Sequence, residues 1–407
     1  MGRVFFSLSI IFSLSVNAQG QFSEITEVLI NKIDSSHHRF LIDQWGINYL
    51  THELSQPEKE EAEINKLADS TISSRIRLLD QNTPLDFRFT SDVRSIVRYY
   101  LGKKFDFVRT LKSRSEFYFP LFEAALDRHG LPMELKYIPI IESGLNPRAK
   151  SPAGATGLWQ FMHATGKMQG LEITSYIDQR MDPYLSTDAA CRYFKRLYKL
   201  FGNWELAIAA YNAGPGNITR AIRNSGGKTN FWDLRPYLPK ETSNYIPSFI
   251  SAVYVLNYSG THGVKQMDPL INFFEIDTIQ AEKGIDLLDI AYLLSIDSSL
   301  IKNLNPQYKY HYVPPPKNKI PYKFLVPKVA MHKFSSFSDS LYSMTSLRLK
   351  KSPLPTPGKS ASGKLHIVKS GDTLSQIAEK YSLKLIDIKR WNRLKSTKIR
   401  IGQKLRI

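Results

Sequence analysis

Apolar residues recur at helical spacing through the middle of the chain. After Asp92, Val93, Ile96, Val97 and Tyr100 share one face, and Phe117, Leu121, Ala124 and Ala125 share another. His129-Gly130 closes that run. Leu131-Pro132 restarts a helix, because Gly ends helices and Pro suits a first turn. Leu135, Ile138 and Ile141 mark a buried face, with a kink expected at Pro139. Glu142 closes this helix, ahead of Ser143-Gly144. Asp182-Pro183 precedes a helix over about 187–201, with Thr187 or Ser186 as its cap. Gly202 ends it, and Asn203 caps a helix from Trp204 to Asn212. Pro239 opens a further helical stretch, with Phe249, Val253 and Leu256 as core. No long alternating strand appears before about residue 270, where Phe273 to Ile276 reads as strand. The pattern predicts a mainly α fold.

The texture of the C-terminal third is different. Residues 284–305 and 371–392 match at a constant offset. Gly284 pairs with Gly371, Leu287 with Leu374, Ile290-Ala291 with Ile377-Ala378, Ile301 with Ile388, and Leu304-Asn305 with Trp391-Asn392. Two copies of one small unit are the economical reading. The second copy opens with Val368-Lys-Ser-Gly-Asp-Thr-Leu374, has a helix at Ile377-Ala-Glu-Lys-Tyr381, and closes with Ile401-Gly-Gln-Lys-Leu405. It resembles the LysM domain, a βααβ cell-wall-binding module. The first copy is degenerate: Ile285 replaces the Asp, and Pro314-Pro-Pro316 interrupts its end. It is read either as a wall-binding unit or as a packing element. Between the copies, Lys333 to Lys364 is rich in Ser, Lys, Pro and Gly, which predicts a flexible, partly extended linker.

Composition narrows the setting. The chain has 407 residues, 42% hydrophobic, enough for two or more domains with a sizeable core. A net charge of +18 points to a polyanionic partner, such as nucleic acid or carboxylate-rich wall polymer. No recognised nucleic-acid motif is present. A positive start, an apolar run from Val4 to Val16 and a small-residue site after Ala18 predict a signal peptide. The apolar run is too short to span a bilayer. The single cysteine, Cys191, lies inside a predicted helix, so neither a lipid-anchor cysteine nor an internal disulfide is expected.

The chemistry gathers at Glu142. A helix C-terminus carries partial negative charge, so a carboxylate there is poorly placed for stability. Like charge and apolar neighbours both favour the protonated acid, which is what a general acid needs. A glutamate on a frayed helix end is the plainer alternative. Glu142-Ser143 is followed by Gly154-Ala-Thr-Gly157-Leu-Trp-Gln160, by Ala210-Tyr-Asn-Ala-Gly214, and by Glu241-Thr-Ser-Asn-Tyr245. Three or four motifs in one order form a specific signal. Together they resemble the lytic transglycosylase family, with Trp159 where many members have Met and His163 where Pro is common.

The resemblance implies an α-helical, lysozyme-like catalytic domain and non-hydrolytic cleavage of the β-1,4 bond between N-acetylmuramic acid and N-acetylglucosamine in peptidoglycan. It implies Glu142 as the catalytic group. Ser143, Gln160, Tyr211, Asn212, Glu241 and Tyr245 would be substrate-binding. Gln160 and Asn212 would bond acetamido groups, and Tyr211 and Tyr245 would offer ring faces to sugars. Glu241 either assists electrostatically or favours its helix start, the second being preferred. No cofactor and no metal is implied. Between Ser143 and Gln160 there is no Asp or Glu, which suits a single-carboxylate mechanism. A lysozyme-like hydrolase on the same fold competes, with Glu172, Asp178 or Asp182 as second carboxylate. So does a non-catalytic wall-binding protein.

The expected organisation is a signal peptide at 1–18 and a polar helical region at 19–84. The catalytic domain follows at 85–262, a degenerate LysM-like unit at 270–328, a linker at 329–364 and a LysM domain at 365–407. The expected partners are peptidoglycan glycan strands and not nucleic acid. The expected location is the periplasm or cell envelope, with possible peripheral association with membrane or wall.

Overall fold

The computed structural model describes residues 67–265, 271–354, and all of 365–407 except Ser370, Ser382, Lys384, Arg393 and Lys395. The signal-peptide reading and most of the 19–84 region lie outside the described residues.

The N-terminal body is helical. Its elements are α1 (Asp69–Asp80), α2 (Ser91–Leu101), α3 (Phe105–His129), a 3-10 turn at Met133–Tyr137, α4 (Ile138–Ser143), α5 (His163–Met168), α6 (Pro183–Phe201), α7 (Trp204–Ala213), α8 (Pro215–Asn224), α9 (Phe231–Leu234) and α10 (Lys240–Tyr258). Helix α10 is the hub and packs on α1, α2, α3, α4 and α7. Its Phe249, Ile250 and Tyr254 are fully buried. Each such side chain contributes roughly 1.5–3 kcal/mol. On α2, Val93, Ile96, Val97 and Tyr100 all face the core, as their spacing predicts.

Several local readings need correction. On α3, Ala124 is exposed, and Tyr118, Phe122 and Leu126 complete the buried stripe with Leu121 and Ala125. Pro139 does not kink one helix. The 3-10 turn ends at Tyr137 and α4 starts afresh with Pro139 in its first turn, where no N–H is needed. Helix α6 starts four residues before the expected span. Its cap is Asp182, whose carboxylate accepts from the Tyr184 and Leu185 N–H groups, both at 2.9 Å. Thr187 and Ser186 instead lie inside the helix. Asn203 caps α7 as expected, accepting from Leu206 N at 2.9 Å.

The next unit contains β1 (Ile276–Ala281), β2 (Ile285–Asp286), α11 (Leu287–Leu293), α12 (Ser298–Leu304), β3 (Tyr312–Val313), β4 (Tyr322–Pro327) and α13 (Met331–Lys351). Phe273–Glu275 is a 3-10 turn, not strand, and β1 begins at Ile276. β1 pairs antiparallel with β4, from Ile276 opposite Pro327 to Ala281 opposite Tyr322. Helix α13 occupies most of the stretch read as linker. It buries Phe334, Leu341, Tyr342 and Thr345, and Thr345 Oγ1 donates to the buried Asp289 carboxylate at 2.9 Å. The linker residues 355–364 lie outside the described residues.

The tail contains β5 (Leu365–Ile367), α14 (Leu374–Lys380), α15 (Leu385–Trp391) and β6 (Lys404–Arg406), with β5 antiparallel to β6. The repeat in the sequence is a repeat in space. Leu287 and Leu374 both start a seven-residue helix, as do Ser298 and Leu385. Asn305 clamps its closing strand by accepting from Leu325 N at 2.7 Å and donating to Leu325 O at 2.8 Å. Asn392 does the same to Arg406 N at 2.7 Å and Arg406 O at 2.8 Å.

Candidate active site

Glu142 sits in the last turn of α4, 5% exposed, with Gly144 in the left-handed conformation just beyond. A side chain at Gly144 would be strained by its φ of 58° and would touch Phe107. The Tyr245 hydroxyl, from α10, donates to Glu142 Oε1. Burial first, then the Glu142 charge, pushes the Tyr245 phenol well above its ordinary range, so it stays a donor. Tyr211 is raised the same way, by burial first and then by Glu142.

The loop between α4 and α5 follows Glu142 directly, and two expected binding residues hold it in place. Ser143 is fully buried. Its Oγ donates to Pro139 O at 2.9 Å or Leu158 O at 2.8 Å. Tyr211 OH donates to Trp159 O at 2.6 Å, and its ring stacks on Phe194 with centroids 4.4 Å apart. Both hydroxyls thus support consecutive carbonyls. They fix the position of Gln160. That residue is 7% exposed; its Nε2 donates to Gly157 O at 2.8 Å, and its Oε1 has no partner among the described residues. Asn212 accepts from Thr242 Oγ1 at 3.0 Å, which leaves its amino group as the part it can offer to a ligand. Glu241 lies in the first turn of α10, where a carboxylate is favoured.

Trp159 is fully buried between Phe122 and Phe194, and its Nε1 donates to Thr187 Oγ1 at 2.9 Å. This explains how an indole is accommodated in the motif: Thr187 meets its polar edge. Cys191 is buried in α6, and burial pushes its thiol up to about 12. It packs as a small apolar side chain.

The residue that sequence reading missed is Arg180. Its guanidinium is paired with Asp178 at 2.7 Å and also donates to Gly154 O at 2.9 Å and Phe161 O at 3.1 Å. It thus clamps both ends of the Gln160 loop. A Cβ at Gly157 would lie 1.8 Å from Arg180 O, and Gly157 has a φ of 89°, so only glycine lets the loop reach the clamp.

The three candidate second carboxylates have other work. Asp178 is engaged by Arg180. Glu172 is bonded by Lys317 at 2.8 Å and by Tyr322 OH at 3.0 Å, both from the following unit. Asp182 caps α6, and burial raises its carboxyl to about 6. Because the folded value lies above the ordinary 3.8, Asp182 contributes full stability only below about pH 4, and that contribution is lost as pH rises through 6. Asp182→Asn keeps a capping oxygen. It is expected to gain on the wild type in urea unfolding at pH 7 relative to pH 4; an equal difference at both pH values would refute this.

Three family models match stretches of the chain. The model of the Transglycosylase SLT domain matches residues 119–232, that of the LysM domain residues 366–407, and that of the lytic transglycosylase MltD LysM-like domain residues 275–343. The chain is 31% identical over 319 residues to membrane-bound lytic murein transglycosylase D of Escherichia coli (strain K12), covering 77% of this chain and 68% of that protein. It is 34% identical over 116 residues to the soluble lytic murein transglycosylase of the same strain, covering 27% of this chain and 18% of that one. The solved 70 kDa soluble lytic transglycosylase from Escherichia coli gives a TM-score of 0.32 at 21% identity, and the match spans 60% of this chain and 44% of that one. The chain belongs to the lytic murein transglycosylase family. It is a mainly α enzyme of that family with a LysM domain at its C-terminal end.

Proposed function

We propose that Glu142 is the single acid–base group of a non-hydrolytic cleavage of peptidoglycan. Its carboxyl proton passes to the glycosidic oxygen between N-acetylmuramic acid and N-acetylglucosamine. The bond from the anomeric carbon to that oxygen breaks, and the N-acetylglucosamine side leaves as an alcohol. The muramyl acetamido oxygen stabilises the electron-poor carbon. The Glu142 carboxylate then takes the proton of the muramyl 6-hydroxyl, whose oxygen closes on the same carbon. The product is a 1,6-anhydro sugar, the proton has returned to Glu142, and no water is consumed. An attacking hydroxyl on the same sugar needs no second carboxylate to activate it.

The observation that carries this reading is the pairing of a buried Glu142, held by Tyr245, with carboxylates at 172, 178 and 182 that are engaged elsewhere. Tyr245 bonds Oε1 and so fixes the orientation of the carboxyl that delivers the proton. The unpartnered Gln160 Oε1 suits an acetamido N–H, and Asn212 offers donors to a sugar oxygen. Ser143 and Tyr211 act by positioning, and Glu241 by supporting its helix. Mass analysis of fragments released from purified sacculi tests the reaction. Anhydro ends, lighter by one water than reducing ends, are expected; mainly reducing ends would establish the hydrolase instead.

The envelope is the proposed location, with residues 1–18 as an export signal and the wall polymer as partner. The net positive charge suits that carboxylate-rich polymer. No helix among the described residues is long and apolar enough to cross a membrane. The tail's apolar core, from Val368 to Ile407, draws on its own residues, and the tail is proposed as a tether that acts by avidity. Ending the chain after Lys364 is expected to weaken sacculus binding and slow release from insoluble wall, with little loss on short soluble glycans. Equal losses on both would show that the tail supports the catalytic fold.

A further inference from the structure

The unit at 275–343 is docked onto the catalytic body. Asp178 N donates to Gln307 O and Lys309 N to Tyr176 O, while Ile177 is buried in the unit's core. The seam holds a cavity of about 580 Å³ that is open to solvent on one side. That lies within the roughly 300–1,000 Å³ of small-molecule sites. Its wall includes Glu172, Asp182 and Tyr184 from the catalytic body, and Gln307, Tyr308 and Tyr322 from the docked unit. It shares none of its lining with Glu142, Gln160, Asn212 or Tyr245.

We propose that this cavity is a second saccharide site, which takes a 2-acetamido sugar of the wall polymer. Gln307 is 4% exposed, yet its Oε1 has no partner among the described residues. The neighbouring Tyr308 OH donates to Lys323 O at 2.5 Å, so that hydroxyl proton is committed elsewhere. The amide oxygen is left as a desolvated acceptor that needs an N–H donor, which an acetamido group supplies. Tyr184, 41% exposed, presents a ring face for stacking on a sugar. Glu172 is already neutralised by Lys317 and bonded by Tyr322, so this part of the wall favours an uncharged ligand. A site built half from each body would also fasten the docked unit when occupied.

The site does not depend on Glu142, so the absence of anhydro products would leave it standing. The test titrates the full chain, carbon-13-labelled at Ile and Leu methyls, with N,N′-diacetylchitobiose. The methyls of Leu185, Ile320 and Leu325, which line the cavity, are expected to shift saturably. Gln307→Leu is expected to weaken that response ten-fold or more while Ile377 and Leu405 in the tail respond as before. Tyr184→Ala, at a half-exposed ring, repeats the test without opening the core and is expected to weaken it similarly. Cellobiose, which lacks the acetamido group, is expected to leave the cavity methyls unmoved. Still cavity methyls with chitobiose, equal shifts with cellobiose, or shifts with an acidic Ala-Glu peptide alone would each overturn the proposal.

Discussion

Glu142→Gln is expected to fold, to bind sacculi and to release almost no soluble fragments. The amide oxygen can still accept the Tyr245 hydrogen bond, so the buried site is not left with an unpartnered phenol. What the amide lacks is a proton to give and a lone pair basic enough to take one back. General acid–base groups contribute roughly 10²–10⁴-fold, and here one group serves both halves of the reaction. Turnover on sacculi is therefore expected to fall by about 10³-fold or more, with binding and the unfolding midpoint nearly unchanged. Release within ten-fold of the wild type would end the assignment of Glu142. A large loss of stability would mean that the carboxyl is chiefly structural.

The placement of Glu142 was legible because it is local: an acid at the end of a short apolar helix, next to Gly144. Its partner was not legible by spacing. Tyr245 lies on the hub helix, 103 residues away, and only the family motif pointed to it. The same motifs named Ser143 and Tyr211 as sugar contacts. Their hydroxyls in fact bond carbonyls in and beside the loop, and side chain-to-backbone bonds over 15 and 52 residues leave no pattern in the sequence.

The repeat was readable for a different reason. Its two copies need the same buried positions and the same Asn clamp, so Asn305 and Asn392 recur at one offset. Helix α13 was missed because its serines and lysines dominate the composition. Its buried apolar residues, Phe334, Leu341 and Tyr342, cover the unit, and Arg348 reaches the buried Asp289. Composition described the exposed side of that helix, and tertiary packing decided its conformation. The cap of α6 was misplaced because Thr187 has a partner far away in Trp159.

Arg180→Met is expected to destabilise the fold by about 3–5 kcal/mol, because it leaves the Asp178 charge buried without compensation. The pair is well enclosed, with side-chain exposures of 7% and 5%, so solvent screening offers little relief. Replacing both partners, Asp178→Leu with Arg180→Met, removes the stranded charge. Apolar replacement of a buried pair is often close to neutral, so much of the stability is expected to return. Activity is not expected to return with it. The carbonyls of Gly154 and Phe161 lose the guanidinium that ties them together, and Gln160 lies in the loop between them. The separation of the two properties is the evidence for positioning. Urea unfolding and turnover on sacculi, both measured at a temperature where each variant is folded, provide it. A double variant that regains turnover along with stability would show that Arg180 only holds the fold, and that the Gln160 loop keeps its shape without the clamp.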